Sequence, residues 1–169
     1  VMVWQREPLP DLQKDCAKLK IPITVMQTDS EQYRCSLMEK LLTEDRKAFW
    51  TAKGFAASRI TVFQDILDIV RAYDNYVRTS IDDPEAFRKT YSDLSLPEAA
   101  GMTQSHRLRN IKTLLNWESL PLRELQTECK ERGLPTNQGL PIRSLNERRG
   151  ALVQRLRMDM QVNYVFTKE

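Results

Sequence analysis

Apolar positions recur at steps of three and four along most of this chain, and alternation of apolar with polar residues is nearly absent. That period belongs to helices rather than strands. The clearest run is Ser58 to Thr79, where Ile60, Phe63, Leu67, Val70, Tyr73 and Val77 fall along one side and Val62, Ile66 and Ile69 widen the face. A stripe of that width predicts a core-facing helix over 58–79. Asp82 or Asp83 ahead of Pro84 predicts a helix entry, because an acidic side chain accepts from unpaired first-turn amides and proline needs no donor there. A short helix through Tyr91 follows. Ser95 to Gln104 breaks the period and reads as a connector, and Ser105 to Trp117 resumes it with Leu108, Ile111, Leu114 and Leu115 on one face.

Two further stretches pair a short helix with a second one. Leu122, Leu125 and Cys129 share a face, Pro121 belongs in the first turn, and Gly133 follows where the chain must leave the helix. Glycine reaches the left-handed conformation of a C-terminal cap without a side-chain clash, and Pro135 prevents continuation. A second helix is expected from about Asn146, with Leu152, Val153 and Leu156 inward and Arg148, Arg149, Arg155 and Arg157 around it. An offset of about 113 residues places Leu9, Leu12, Gln13, Cys16 and Pro22 on Leu122, Leu125, Gln126, Cys129 and Pro135. A slightly larger offset places Arg34, Leu37, Met38 and Leu41 on Arg149, Leu152, Val153 and Leu156. Shared leucines alone are cheap between amphipathic helices, but the common glutamine, cysteine and exit proline predict an internal repeat.

Composition narrows the function more than the fold. Apolar residues make up 41% and charged residues 29% of 169, values ordinary for a globular protein. No apolar run approaches the roughly 18 to 20 residues a membrane-spanning helix needs. Cys16, Cys35 and Cys129 form no CxxC pair and lie in helix-like patterns, so they are expected to be reduced, packed thiols. Val1 in place of a start methionine points toward a processed product or a fragment whose leader is gone, a hint of organelle import that puts a mitochondrion or plastid ahead of the nucleus. No GxxxxGK[ST] or GxGxxG loop, no metal-ligand spacing and no second histidine beside His106 accompany the chain. His106, among charged neighbours, is expected at the surface. Hence no catalysis, no metal and no cofactor are expected. The net charge of +3 is small, but residues 119–157 carry eight Lys and Arg against four Asp and Glu, whereas residues 6–47 are balanced at eight against eight. Positive charge therefore gathers in the C-terminal copy.

The residues LPLRELQTECKERGLPTNQG, followed after an insertion by RRGALVQRL, resemble a SAP motif, a pair of short helices joined by a basic-Gly-Leu turn. Glu124, Leu125, Arg132, Gly133, Leu134, Gly139, Leu152, Val153, Arg155 and Leu156 carry the likeness, over residues 119–157 only. The inserted LPIRSLNERR and Gln126 depart from the usual pattern. The N-terminal copy is more distant, with Lys20 at the turn-glycine position. The periodicity predicts a mainly α chain with a central helical segment, and the resemblance adds two SAP-like helix-turn-helix modules flanking it: 1–46, 47–117, 118–160, and a tail at 161–169. SAP modules commonly contact DNA or RNA, and the resemblance points to Arg132, Asn137, Gln138, Gly139, Arg148 and Arg149 as phosphate-backbone contacts, with Arg143 in the insertion as a further one. Read from the residues alone, the same arginines serve as a solvated face or pair with Glu128, Glu131 and Glu147. Trp4, Trp50 and Trp117 lie near the repeat edges and are expected to be buried rather than to stack on bases. Two non-catalytic roles follow: a subunit of a large assembly such as an organellar ribosome, touching RNA or DNA through the C-terminal module, or an accessory subunit of an organellar respiratory or photosynthetic complex whose repeats bind protein.

Overall fold

The computed structural model describes residues 7–23, 31–136 and 144–166, with residues 165 and 166 described by backbone alone. Among the described residues there are seven α-helices and no strand, so the protein is mainly α-helical. None of these helices is long and apolar enough to cross a membrane. Trp4, Asn137, Gln138, Gly139 and Arg143, singled out above, lie outside the described residues.

The chain divides into two compact units, Val1–Ser58 and Arg59–Glu169. This division falls later than the boundary at 46/47 read from the sequence, because the second helix of the first unit runs unbroken to Ala52. The first unit contains α1 (Leu9–Lys18) and α2 (Glu31–Ala52). They pack through Leu12, Cys16, Ile21, Leu37 and Leu41, all buried, with Leu9, Tyr33 and Met38 at the margin. Farther along, Trp50 makes edge-to-face contacts with Phe49 at 4.9 Å and Phe55 at 5.8 Å.

The second unit joins the central and C-terminal segments in one body rather than two. It comprises α3 (Phe63–Asp82), α4 (Pro84–Asp93), α5 (Gln104–Ser119), α6 (Leu122–Glu131) and α7 (Leu145–Phe166). α3 packs on α4 and α5, and α7 packs on α5 and α6. The helix expected from Ser58 begins five residues later, since Val62 is extended and caps nothing. Its buried line is Ile66, Ile69 and Val70, while Phe63, Leu67, Tyr73 and Val77 are half-buried and Val62 is exposed. Asp83, rather than Asp82, caps α4, accepting from the Ala86 amide at 3.0 Å. The connector between α4 and α5 is tied by Tyr91, whose buried hydroxyl donates to the Pro97 carbonyl at 2.7 Å and accepts from Asn110 at 2.8 Å. Burial raises the Tyr91 pKa, so the hydroxyl stays a donor. Thr103 then caps α5 by accepting from the His106 amide, and His106 is exposed. At the C-terminus the expected tail is shortened, because α7 continues to Phe166.

Candidate nucleic-acid interface

The two helix pairs are built alike at hydrogen-bond level. α1 and α6 are each ten residues long and begin 113 positions apart. Pro8 and Pro121 precede them in the same conformation (φ −61°, ψ 152° and φ −59°, ψ 155°), and each proline carbonyl accepts from the amide four residues on, Leu12 or Leu125. Pro121 thus stands one place ahead of the first helical residue rather than within the first turn. At the exits, Ile21 donates to Cys16 O at 2.9 Å and Leu134 to Cys129 O at 2.8 Å. These are the bonds of a helix end closed by a left-handed residue. That residue is Gly133 (φ 70°) in one copy and Lys20 (φ 56°) in the other. The lysine adopts a conformation that costs a non-glycine residue about 1 kcal/mol.

The second helix of each pair stitches the first from two sides. Arg34 on α2 donates to Glu7 O at 2.7 Å, and its counterpart Arg149 on α7 donates from Nε to Leu120 O at 3.2 Å and from Nη2 to Glu118 O at 2.9 Å. Lys40 reaches Pro22 O at 3.3 Å, and its counterpart Arg155 reaches Pro135 O at 2.5 Å. Basic side chains six residues apart therefore hold the segments before and after the first helix in both copies. Glu118 O is one of the last carbonyls of α5, which has no amide partner within its own helix, so Arg149 also caps α5.

These contacts sort the arginines expected at a phosphate. Arg149 is occupied as a carbonyl clamp. Arg132 pairs with Asp159 at 3.2 Å and, more loosely, with Glu128 at 3.8 Å, while its guanidinium lies 5.1 Å from the centre of the Trp117 ring. Arg157 pairs with Glu118 at 3.3 Å. Glu128 and Glu124 also receive Arg59, which bonds Glu124 at 2.7 Å and forms a short contact with Glu128. Burial pulls the Arg59 pKa down, but its bonds to these two carboxylates outweigh that and hold the charge. Glu131 and Glu147, expected above as partners of the arginines, form no salt bridge among the described residues.

Arg148 stands apart. It sits in the first turn of α7, half-buried, and its guanidinium makes no hydrogen bond or ion pair among the described residues. In the N-terminal copy its place is taken by Tyr33, which accepts from Gln13 at 3.4 Å. Ser144 opens α7 by accepting from the Glu147 amide at 3.1 Å. The sequence Ser144-Leu-Asn-Glu147 is the spacing of a capping box, a signal that would have placed the helix start at Leu145. Arg123 and Lys130 on α6 are exposed.

The tryptophans and cysteines divide. Trp117 is buried and Trp50 half-buried. Cys16 and Cys129 are packed and burial raises both thiol pKa values, but Cys35 is exposed, against expectation, because it faces away from the Leu37–Leu41 line of α2. No group of three or more His, Cys, Asp or Glu that could hold a metal occurs among the described residues.

No protein-family model matches the chain, and no match was found among curated proteins or solved structures.

Proposed function

We propose that this protein is a non-catalytic subunit of a larger assembly whose C-terminal helix pair contacts the phosphate backbone of RNA or DNA, as in an organellar ribosome. The observation that carries the reading is Arg148. It is the one basic residue of the first two turns of α7 not committed to a partner among the described residues, and it stands beside helix amides that attract oxyanions. The excess of basic over acidic residues in 119–157 supplies the surrounding field. Arg149 and Arg132 act indirectly, holding the helix pair in shape. The SAP-like pattern of residues 119–157 supports the same reading by resemblance. Tyr33 in place of Arg148, Lys20 in place of Gly133 and a balanced charge leave the N-terminal copy to bind protein instead.

A salt series tests this. The full chain should bind labelled RNA or DNA duplexes at about 50 mM salt and weaken steeply as salt rises, and Arg148→Ala should flatten the log–log slope by about one unit. Absence of binding at low salt, or an Arg148→Ala protein indistinguishable from wild type, overturns the proposal. A second reading, a purely protein-binding accessory subunit, is favoured by Met158 and Val162, one turn apart on α7 and 54% and 52% exposed. It predicts no salt-dependent nucleic-acid binding and a partner footprint on that face.

A further inference from the structure

We propose that a cleft on α7, opposite the end of α5, is a binding site for a phosphate group. It lies beyond the Arg148 helix start and rests on the phosphate-contact reading above. The cleft has a volume of about 360 Å³ and is lined by Asn146, Arg149, Gly150, Gln154 and Arg157 on α7, with Glu118 facing them. Their spacing places the α7 residues along one side of the helix.

Three observations converge on an oxyanion. First, two guanidinium groups face one carboxylate, so the cleft keeps a net positive charge even with the Arg157–Glu118 pair formed at 3.3 Å. Second, the Nε atom of Arg157 is buried and has no hydrogen-bond partner among the described residues. A buried donor of that kind is stabilised by an acceptor brought from outside, and a phosphate oxygen is the acceptor that guanidinium geometry suits best. Third, Gly150 lines the cleft, and a Cβ added there would meet nothing within 4 Å, so the helix surface is open at this point. Glycine inside a helix is unfavourable relative to alanine, and here its missing side chain is replaced by space beside two arginines. Arg149 is held rigid by its two carbonyl bonds, so that side of the cleft is preorganised.

The probes are inorganic phosphate and a short RNA duplex, added to the full chain at constant ionic strength with chloride as the control. The readout is the ¹H–¹⁵N resonance of the Arg157 guanidinium Nε–H, assigned by its loss in Arg157→Lys. Phosphate should shift this resonance saturably, chloride should not, and Gly150→Leu, which fills the cleft from an open helical position, should weaken binding at least tenfold while the amide spectrum of the rest of the chain is retained. If RNA also shifts the Arg157 resonance and displaces phosphate, the cleft belongs to the nucleic-acid surface. If phosphate binds saturably and RNA does not displace it, the site stands for a free phosphate-bearing molecule, and the nucleic-acid reading is decided separately by the salt series on Arg148→Ala. A non-saturating shift, or an equal affinity in a folded Gly150→Leu protein, overturns the site. Should Gly150→Leu fail to fold, Arg157→Gln takes its place with the same expected loss, read from the Arg149 Nε–H resonance.

Discussion

Arg148 and Arg149 are neighbours in sequence, and truncating each should have opposite consequences. In Arg149→Ala two charged hydrogen bonds disappear, to Leu120 O at 3.2 Å and Glu118 O at 2.9 Å. Leu120 is 1% exposed, so its carbonyl loses a donor in a place poorly reached by water, a loss of about 1–3 kcal/mol. The Glu118 bond is exposed and contributes less, so the total is about 2–3 kcal/mol, or a fall in Tm of roughly 9–13 °C for a unit of this size. Arg149→Lys carries a point charge without the fork and can serve one carbonyl, so about half the loss should return. Arg148→Ala should change stability by no more than about 0.5 kcal/mol while reducing nucleic-acid affinity. The assay is thermal unfolding followed by far-UV circular dichroism, with hydrogen exchange at the Leu122–Leu125 amides reporting the α5–α6 corner directly. Arg34→Ala gives an internal control, since its bond to Glu7 O should be worth about 1–2 kcal/mol in the first unit. An Arg149→Ala protein of unchanged Tm that loses nucleic-acid binding as Arg148→Ala does would refute the assignment of Arg149 as a clamp.

Further outcomes follow from the same geometry. Gly133→Ala should destabilise the second unit by about 1 kcal/mol and Lys20→Gly should stabilise the first by about 0.5–1 kcal/mol, because both positions have positive φ; chemical denaturation measures each. Arg59→Met should cost about 1–3 kcal/mol in urea unfolding, since among the described residues it leaves Glu128, 16% exposed, with only its distant pairing to Arg132. Burial raises the Glu118 pKa and Arg157 opposes the rise. The folded state therefore binds its proton more readily than the unfolded chain, so this contribution to stability is present below the ordinary glutamate pKa of about 4.3 and is lost as pH rises through the folded value. Glu118 keeps 46% of its side chain exposed, so the effect is small, and Glu118→Gln should remove it from the difference between stability curves measured at mildly acidic and neutral pH.

Much of the helix pattern was legible in the chain because the signals are local. Steps of three and four marked α3 through α7, Asp83-Pro84 marked the α4 entry, and Gly133-Leu-Pro135 marked the α6 exit. The offset of 113 residues appears again in the start positions of α1 and α6, since ten-residue helices with matching ends need matching sequence. What failed was also local in origin: periodicity extended α3 backward through Val62, because an apolar residue in extended backbone scores like one in a helix.

The candidate site was legible only as a set of residue types. Arg148 and Arg149 look equivalent on paper. Their difference arises because Arg149 finds carbonyls 29 and 31 residues away, on a corner that α5, α6 and α7 form only when packed. The cleft beside Gly150 has the same origin, since Glu118 reaches α7 from α5. By itself, then, the sequence determined that the chain is helical and where most of the helices lie, properties of backbone period and turn chemistry within a few residues. Tertiary structure alone decided which guanidinium groups bond carbonyls and carboxylates of the fold and which have no partner among the described residues, because a charged group's partners are set by distances across the packed chain and not by its neighbours along it.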